Sequence, residues 1–177
     1  MIGISKLYCG AVESSDPIRY GRRSSELPSH LLQFSRDKKP VVVWNVTQAC
    51  NLNCIHCYAR AVDHRDKREL THDQGLALLD DLAGFGVPVV LFSGGEPLMR
   101  PDLVQLAAYA VKKGMRAVIS TNGTLISRDK ARELNEIGLS YVGVSLDGME
   151  DVNDRFRGKK GAFQDSMASK FDLRLEY

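Results

Sequence analysis

The chain has 177 residues, 44% of them hydrophobic, which is enough for one ordinary globular core. Its 24 Lys and Arg against 22 Asp and Glu leave a net charge of +2, without the marked basic excess of a nucleic-acid binder, so no nucleic-acid partner is expected. No apolar run approaches the roughly 20 residues of a membrane span, and Met1 to Gly10 lacks the apolar stretch of a secretory signal.

Cysteine usage points the same way. Three of the four cysteines fall within eight residues, too close together for a disulfide framework. No membrane partner, a reducing cytoplasm and a metal site are expected.

Residues 1–40 show no sustained period and end at Pro40. They read as an N-terminal extension with one short helix near His30 to Phe34. Arg19, Arg22, Arg23, Arg36, Lys38 and Lys39 make it locally basic, most simply as a solvated surface.

From Val41 strands and helices alternate. Val41 to Val46 is a continuous β-branched run, as expected of a buried parallel strand. Thr71-His72-Asp73-Gln74 has the form of a capping box and opens a helix to about Ala83, with Gly84 just past its end. Val87 to Phe92 is the second strand. Pro101 opens the next helix at its first position, and that helix runs to about Lys113 and stops at Gly114. Arg116 to Ser120 is the third strand, Ser127 caps a helix that ends before Gly138, and Tyr141 to Leu146 is the fourth strand.

This order implies parallel strands with right-handed crossovers and ligands at the carboxyl ends of the strands. The fold class is α/β, a partial (β/α) barrel cut off after about four units, since a closed barrel needs roughly 200 residues or more. Four strands leave the last as an open edge. They also leave Val43, Val90, Ile119 and Val144, expected to face inward, uncovered, so association of the chain is expected. The tail is ambiguous. Phe163, Met167, Phe171 and Leu175 keep a helical spacing of four, while Phe171 to Tyr177 alternates like a strand.

The loop after the first strand carries Cys50, Cys54 and Cys57. Three thiolates on one short loop suit an iron–sulfur cubane with one iron left open for chemistry. A zinc knuckle completed by His56 or Cys9 is the bland alternative. The second strand ends in Gly94-Gly95-Glu96-Pro97. Two glycines let a ligand approach the backbone, Glu96 can accept from an ammonium group, and Pro97 holds Glu96 extended.

Cys-x3-Cys-x2-Cys followed by Tyr58, then Gly-Gly-Glu-Pro one strand later, resembles the radical S-adenosylmethionine superfamily. Thr121-Asn122-Gly123, Ser145-Leu146-Asp147-Gly148, Asn153 to Gly158 and Gly161-Ala162-Phe163 extend the likeness, which covers about Val41 to Phe163. The opening residues, Met1 to Gly10, Ile18 to Gly21 and Leu27 to Ser35, resemble its haem-biosynthesis branch.

The resemblance implies a core over residues 41–163, an atypical tail over 164–177, a four-iron four-sulfur cluster on Cys50, Cys54 and Cys57, and S-adenosylmethionine (AdoMet). It implies Tyr58 beside the adenine and Gly94, Gly95, Glu96 and Pro97 about the methionine ammonium. It also implies Ser145 at the nucleoside and Arg157 at the methionine carboxylate, against bland readings as a turn residue and a surface arginine. Asn122 and Asp147 face the same pocket without an assigned role, and no catalytic residue is assigned.

The implied partners are a tetrapyrrole and a reducing donor such as ferredoxin or flavodoxin. The implied reaction uses a 5′-deoxyadenosyl radical to convert acetate side chains of didecarboxysiroheme to methyl groups, giving iron-coproporphyrin. The auxiliary-cluster cysteines of such relatives have no counterpart after Cys57, as truncation, a frameshift or a split gene would produce. Two other readings stay open: a radical enzyme acting on a peptide or carbohydrate, and an inactive zinc- or iron–sulfur-binding fragment.

Overall fold

A computed structural model of the chain describes residues 39–172. The short helix near His30 to Phe34, Cys9, most of the basic N-terminal run and the last residues of the tail lie outside the described residues.

Four strands form one parallel sheet in the order β1 (Val42–Thr47), β2 (Val89–Gly94), β3 (Arg116–Thr121) and β4 (Tyr141–Val144). Each strand begins or ends within about two residues of its expected bounds, and β1 and β4 are the two edges of this sheet. Between strands lie helices α1 (His72–Phe85), α2 (Leu103–Lys112) and α3 (Arg128–Glu136), and after β4 come α4 (Glu150–Arg157) and α5 (Ala162–Asp172).

The helix starts follow local chemistry. At α1 the capping box is complete: Thr71 Oγ1 accepts from the Gln74 amide, and Gln74 Oε1 accepts from the Thr71 amide. The helix ends one turn fraction later than expected. Gly84 lies inside it, and Gly86, with φ of 85°, is the left-handed stop. Ser127 caps α3 through the Lys130 amide.

Pro101 does not open α2. Asp102 is its N-cap residue but makes no capping bond, because its carboxylate is taken by Arg100 at 2.9 and 3.0 Å. Pro97 instead opens a single 3-10 turn, Pro97–Met99. The tail is helical through Asp172, and the rest of the alternating run lies outside the described residues.

Register divides the sheet into two faces. Val42, Val90 and Ala117 align across three strands, and Trp44, Phe92, Ile119 and Val142 across all four. These two rows make the helix-covered face. Trp44, Val90, Phe92, Ala117 and Ile119 pack there with Leu79, Leu106, Ala107 and Leu134 in one core cluster. Phe92 is fully buried, with its ring centroid 5.8 Å from that of Trp44. Burying such a side chain stabilises by about 1.5–3 kcal/mol.

The opposite face carries Val43, Leu91, Val118 and Tyr141, with Val43 and Tyr141 more than half exposed. The expectation that Val43, Val90, Ile119 and Val144 share the inward face is therefore corrected. Strand residues alternate in direction, so the register puts Val90, Ile119 and Val144 on the helix side and Val43 alone on the open side. Val43 also shows that, among the described residues, β1 is covered on one face only.

One buried cation anchors the end of β1. Arg100, 2% exposed, donates to the Val46 carbonyl at 3.0 Å while Asp102 neutralises it. This fixes the backbone four residues ahead of Cys50.

Candidate metal and cofactor site

The cysteine loop is tied at both ends. At its neck Ala49 bridges Val62: the Cys50 amide donates to the Val62 carbonyl at 2.7 Å and the Val62 amide to the Gln48 carbonyl at 3.0 Å. Glu69 Oε1 holds the same neck, accepting from Thr47 Oγ1 at 2.8 Å and the Gln48 amide at 2.9 Å. On the far side the Asn53 and Ile55 amides donate to the carbonyls of Arg157 and Phe156 at 3.1 and 2.9 Å. Those are among the last carbonyls of α4, which have no partner inside the helix.

Gly158 ends α4 at φ of 66°, and a Cβ there would overlap the Asn53 carbonyl. Sequence reasoning named Asn153 to Gly158 as a motif but missed the helix that carries it. The helix is short and polar, without an apolar period. Its charge order, Glu150 and Asp151 first and Arg155 and Arg157 last before a glycine, was the signal that could have found it.

Above the carboxyl ends of the strands lies a cavity of about 260 Å³. Cys50, Cys54, Cys57, His56 and Tyr58 line it from the loop. Ser93, Gly94 and Gly95 line it from β2, Ser120, Thr121 and Asn122 from β3, Ser145 and Asp147 from beyond β4, and Arg157 from α4. The fold thus brings nearly all the expected residues to one space.

Gly94 and Gly95 allow a close approach of backbone to backbone. Cβ atoms there would overlap the carbonyls of Thr47 and Ala49, so glycine lets β2 approach the root of the cysteine loop. The Gly95 and Glu96 amides donate to those same carbonyls, each at 2.8 Å.

Glu96 does not line the cavity, and its side chain is fully buried. Pro97 follows it and Glu96 is extended, as expected, at φ −120° and ψ 110°. Its carboxylate accepts from Thr121 Oγ1 at 2.7 Å, the Asn122 amide at 2.8 Å and the Leu98 amide at 3.1 Å. With three internal donors on its carboxylate, Glu96 braces the end of β3 against the turn that follows β2. Burial pushes its pKa up, and the donors from Asn122, Thr121 and Leu98 pull against that.

Arg157 is buried, not a surface residue, and its Nε lies 2.7 Å from Asp147 Oδ2. His56 Nε2 is 3.4 Å from the same oxygen. Ser145 donates its hydroxyl to the Thr121 carbonyl at 3.2 Å while lining the cavity. Tyr58 is 77% exposed at the mouth. Burial pushes the Cys50 thiol up against the Leu52 amide, and pushes Cys54 up against the pull of Arg157.

Among the described residues no three His, Cys, Asp or Glu side chains meet at a point that one ion would fill. The three sulfurs ring a cavity instead. That donor set fits a cluster held on three thiolates better than a closed zinc site.

The description of the Radical SAM superfamily matches residues 44–169. The chain is 71% identical to an Fe-coproporphyrin III synthase of Methanosarcina barkeri over 92% of its own length and 41% of that protein's. It is 46% identical to a pre-heme d1 synthase of Dinoroseobacter shibae over 73% of this chain and 32% of that protein. The chain thus spans less than half the length of these relatives. Its fold is shared with native anSMEcpe with bound AdoMet, at a TM-score of 0.63 and 20% identity, covering 76% of this chain and 40% of that one. That family uses a four-iron four-sulfur cluster and AdoMet. The chain belongs to the radical SAM superfamily.

Proposed function

We propose that this chain is the cluster- and AdoMet-binding part of a haem-biosynthesis enzyme that converts two acetate side chains of didecarboxysiroheme to methyl groups, giving iron-coproporphyrin. The observation that carries the reading is the 71% identity to an Fe-coproporphyrin III synthase, running over 92% of the chain. The cavity geometry supports it. Cys50, Cys54 and Cys57 would hold the cluster, and the cavity over the strand ends would take AdoMet. When bound, the pair supplies a one-electron cleavage whose carbon radical takes hydrogen from an unactivated C–H bond.

The chain's own residues bind, orient and shield. The peptide groups of Gly94 to Pro97 offer polar atoms to the methionine ammonium, with Glu96 holding their shape from below. Arg157, oriented by Asp147, faces the methionine carboxylate. Ser145 meets the nucleoside, and the Tyr58 backbone borders the adenine. The tetrapyrrole and a ferredoxin- or flavodoxin-type reductant are the proposed partners.

Anaerobic reconstitution tests this. About four irons per chain are expected, lost on Cys50→Ala, Cys54→Ala or Cys57→Ala and kept on Cys9→Ala. AdoMet should change the spectrum of the reduced cluster. In a form lengthened to match the relatives, 5′-deoxyadenosine release should rise with didecarboxysiroheme. Stoichiometric zinc without iron would support the zinc-fragment reading instead. Release stimulated by a peptide and not by the tetrapyrrole would refute the substrate.

A further inference from the structure

Asn122 sits on the cavity wall, 7% exposed, and all of its polar groups have a partner. Its amide N–H donates to Glu96 Oε2 at 2.8 Å and its carbonyl accepts from Ser166 Oγ at 2.7 Å. Its side-chain Oδ1 accepts from the Thr124 amide at 2.9 Å and from Thr124 Oγ1 at 2.7 Å. A backbone amide can only donate, so the atom facing it must be the oxygen. Chemistry therefore fixes the orientation of the side-chain amide.

The nitrogen then points at the cysteine loop. Nδ2 has two hydrogens. One goes to Asn51 Oδ1 at 3.0 Å, and the other faces Cys50 Sγ at 3.9 Å. Asn51 is itself held, donating to Thr124 Oγ1 at 2.7 Å. The backbone of Asn122 is locked to the turn after β2 through Glu96 and to α5 through Ser166. Its side chain is locked by Thr124. The N–H therefore cannot turn away from the sulfur without breaking several bonds at once.

We propose that Asn122 is a tuning residue: its side-chain amide donates to the Cys50 sulfur and raises the reduction potential of the cluster. This rests on the iron–sulfur reading above. A reduced cluster places more negative charge on its sulfurs, so a fixed N–H dipole aimed at one of them stabilises the reduced state. Cys50 is partly buried, so its sulfur is less screened by solvent than an exposed one. The donor that reduces the cluster then needs a less extreme potential.

The test is a redox titration of reconstituted protein followed by electron paramagnetic resonance, on the parent, Asn122→Ala, Asn122→Asp and Thr124→Val. Asn122→Ala removes the donor, and Asn122→Asp also adds a negative charge. Both should keep their iron and shift the midpoint to more negative potential, Asp further than Ala. Thr124→Val removes the hydroxyl that donates to Oδ1 but keeps the backbone amide that fixes its orientation, so its shift should be smaller. Fe–S stretching frequencies in resonance Raman should move in the same order. Full iron loading with an unchanged midpoint in both Asn122 variants would overturn the proposal. Loss of iron from both Asn122 variants, with Thr124→Val at the parent midpoint, would make Asn122 a folding residue and also overturn it. A parent that binds no iron would overturn the cluster reading itself, and the proposal with it.

Discussion

Replacing Glu96 with glutamine separates its two possible roles. The carboxylate accepts from two backbone amides, Asn122 and Leu98, and from the Thr121 hydroxyl. A glutamine amide has one oxygen. Seated toward Thr121 and Leu98, it sets its NH2 against the Asn122 N–H, donor against donor. Seated the other way, it strands the Leu98 N–H, while the Thr121 hydroxyl can rotate to accept. Either way one buried N–H is left unpaired, at about 1–3 kcal/mol.

Loss of the buried charge offsets part of that cost, which places the expectation in the lower half of the range, about 1–2 kcal/mol. The assay is urea unfolding of the metal-free chain under reducing, anaerobic conditions, followed by AdoMet titration of the reconstituted protein. A brace lowers stability before any cofactor is present. A direct ammonium contact leaves the metal-free chain unchanged and weakens AdoMet alone, by about 1.5–3 kcal/mol. Metal-free stability within about 0.5 kcal/mol of the parent, the scatter of neutral surface changes, would refute the brace.

Other residues around the cysteine loop give further tests. Burial raises the Glu69 pKa, but the donors Arg65, Gln48, Thr47 and Asp66 outweigh it, so its folded pKa lies below the ordinary value. Its stabilising contribution is therefore present above the unfolded pKa and is lost as pH falls through the folded one. The stability of Glu69→Gln should fall less steeply with acid than the parent's, measured by unfolding between neutral pH and pH about 3. Gly158→Ala forces a side chain into left-handed backbone, at about 1–2 kcal/mol, and against the Asn53 carbonyl. It should destabilise the chain and speed iron loss to a chelator. Gly84→Ala is the contrast: it lies inside α1 with open space around it and should stabilise by about 0.5–1 kcal/mol in thermal unfolding.

The likeness to the haem-biosynthesis branch was legible in residues that lie outside the described structure, and it agrees with the names of the similar proteins. No described helix is long and apolar enough to cross a membrane. The strand–helix alternation and the caps at Thr71 and Ser127 could be read because they depend on neighbours within four residues. Gly84 and Pro101 misled because one local signal was read without its competitor. Gly86 was the better stop, and Arg100 had claimed the Asp102 carboxylate.

The sequence by itself determined the thiolate loop, the Gly-Gly-Glu-Pro turn and their order on successive strands. Each is a short contiguous pattern whose chemistry does not depend on distant residues. Tertiary structure alone decided which side of the sheet Val43 and Val90 face, since only register across neighbouring strands sets direction. It decided too that Glu96 braces Asn122 from below, and that α4 closes the cysteine loop through Phe156 and Arg157. Those partners are separated by 26 residues or by about a hundred. The hydrogen bonds that join them exist only once the parallel strands have brought their ends together.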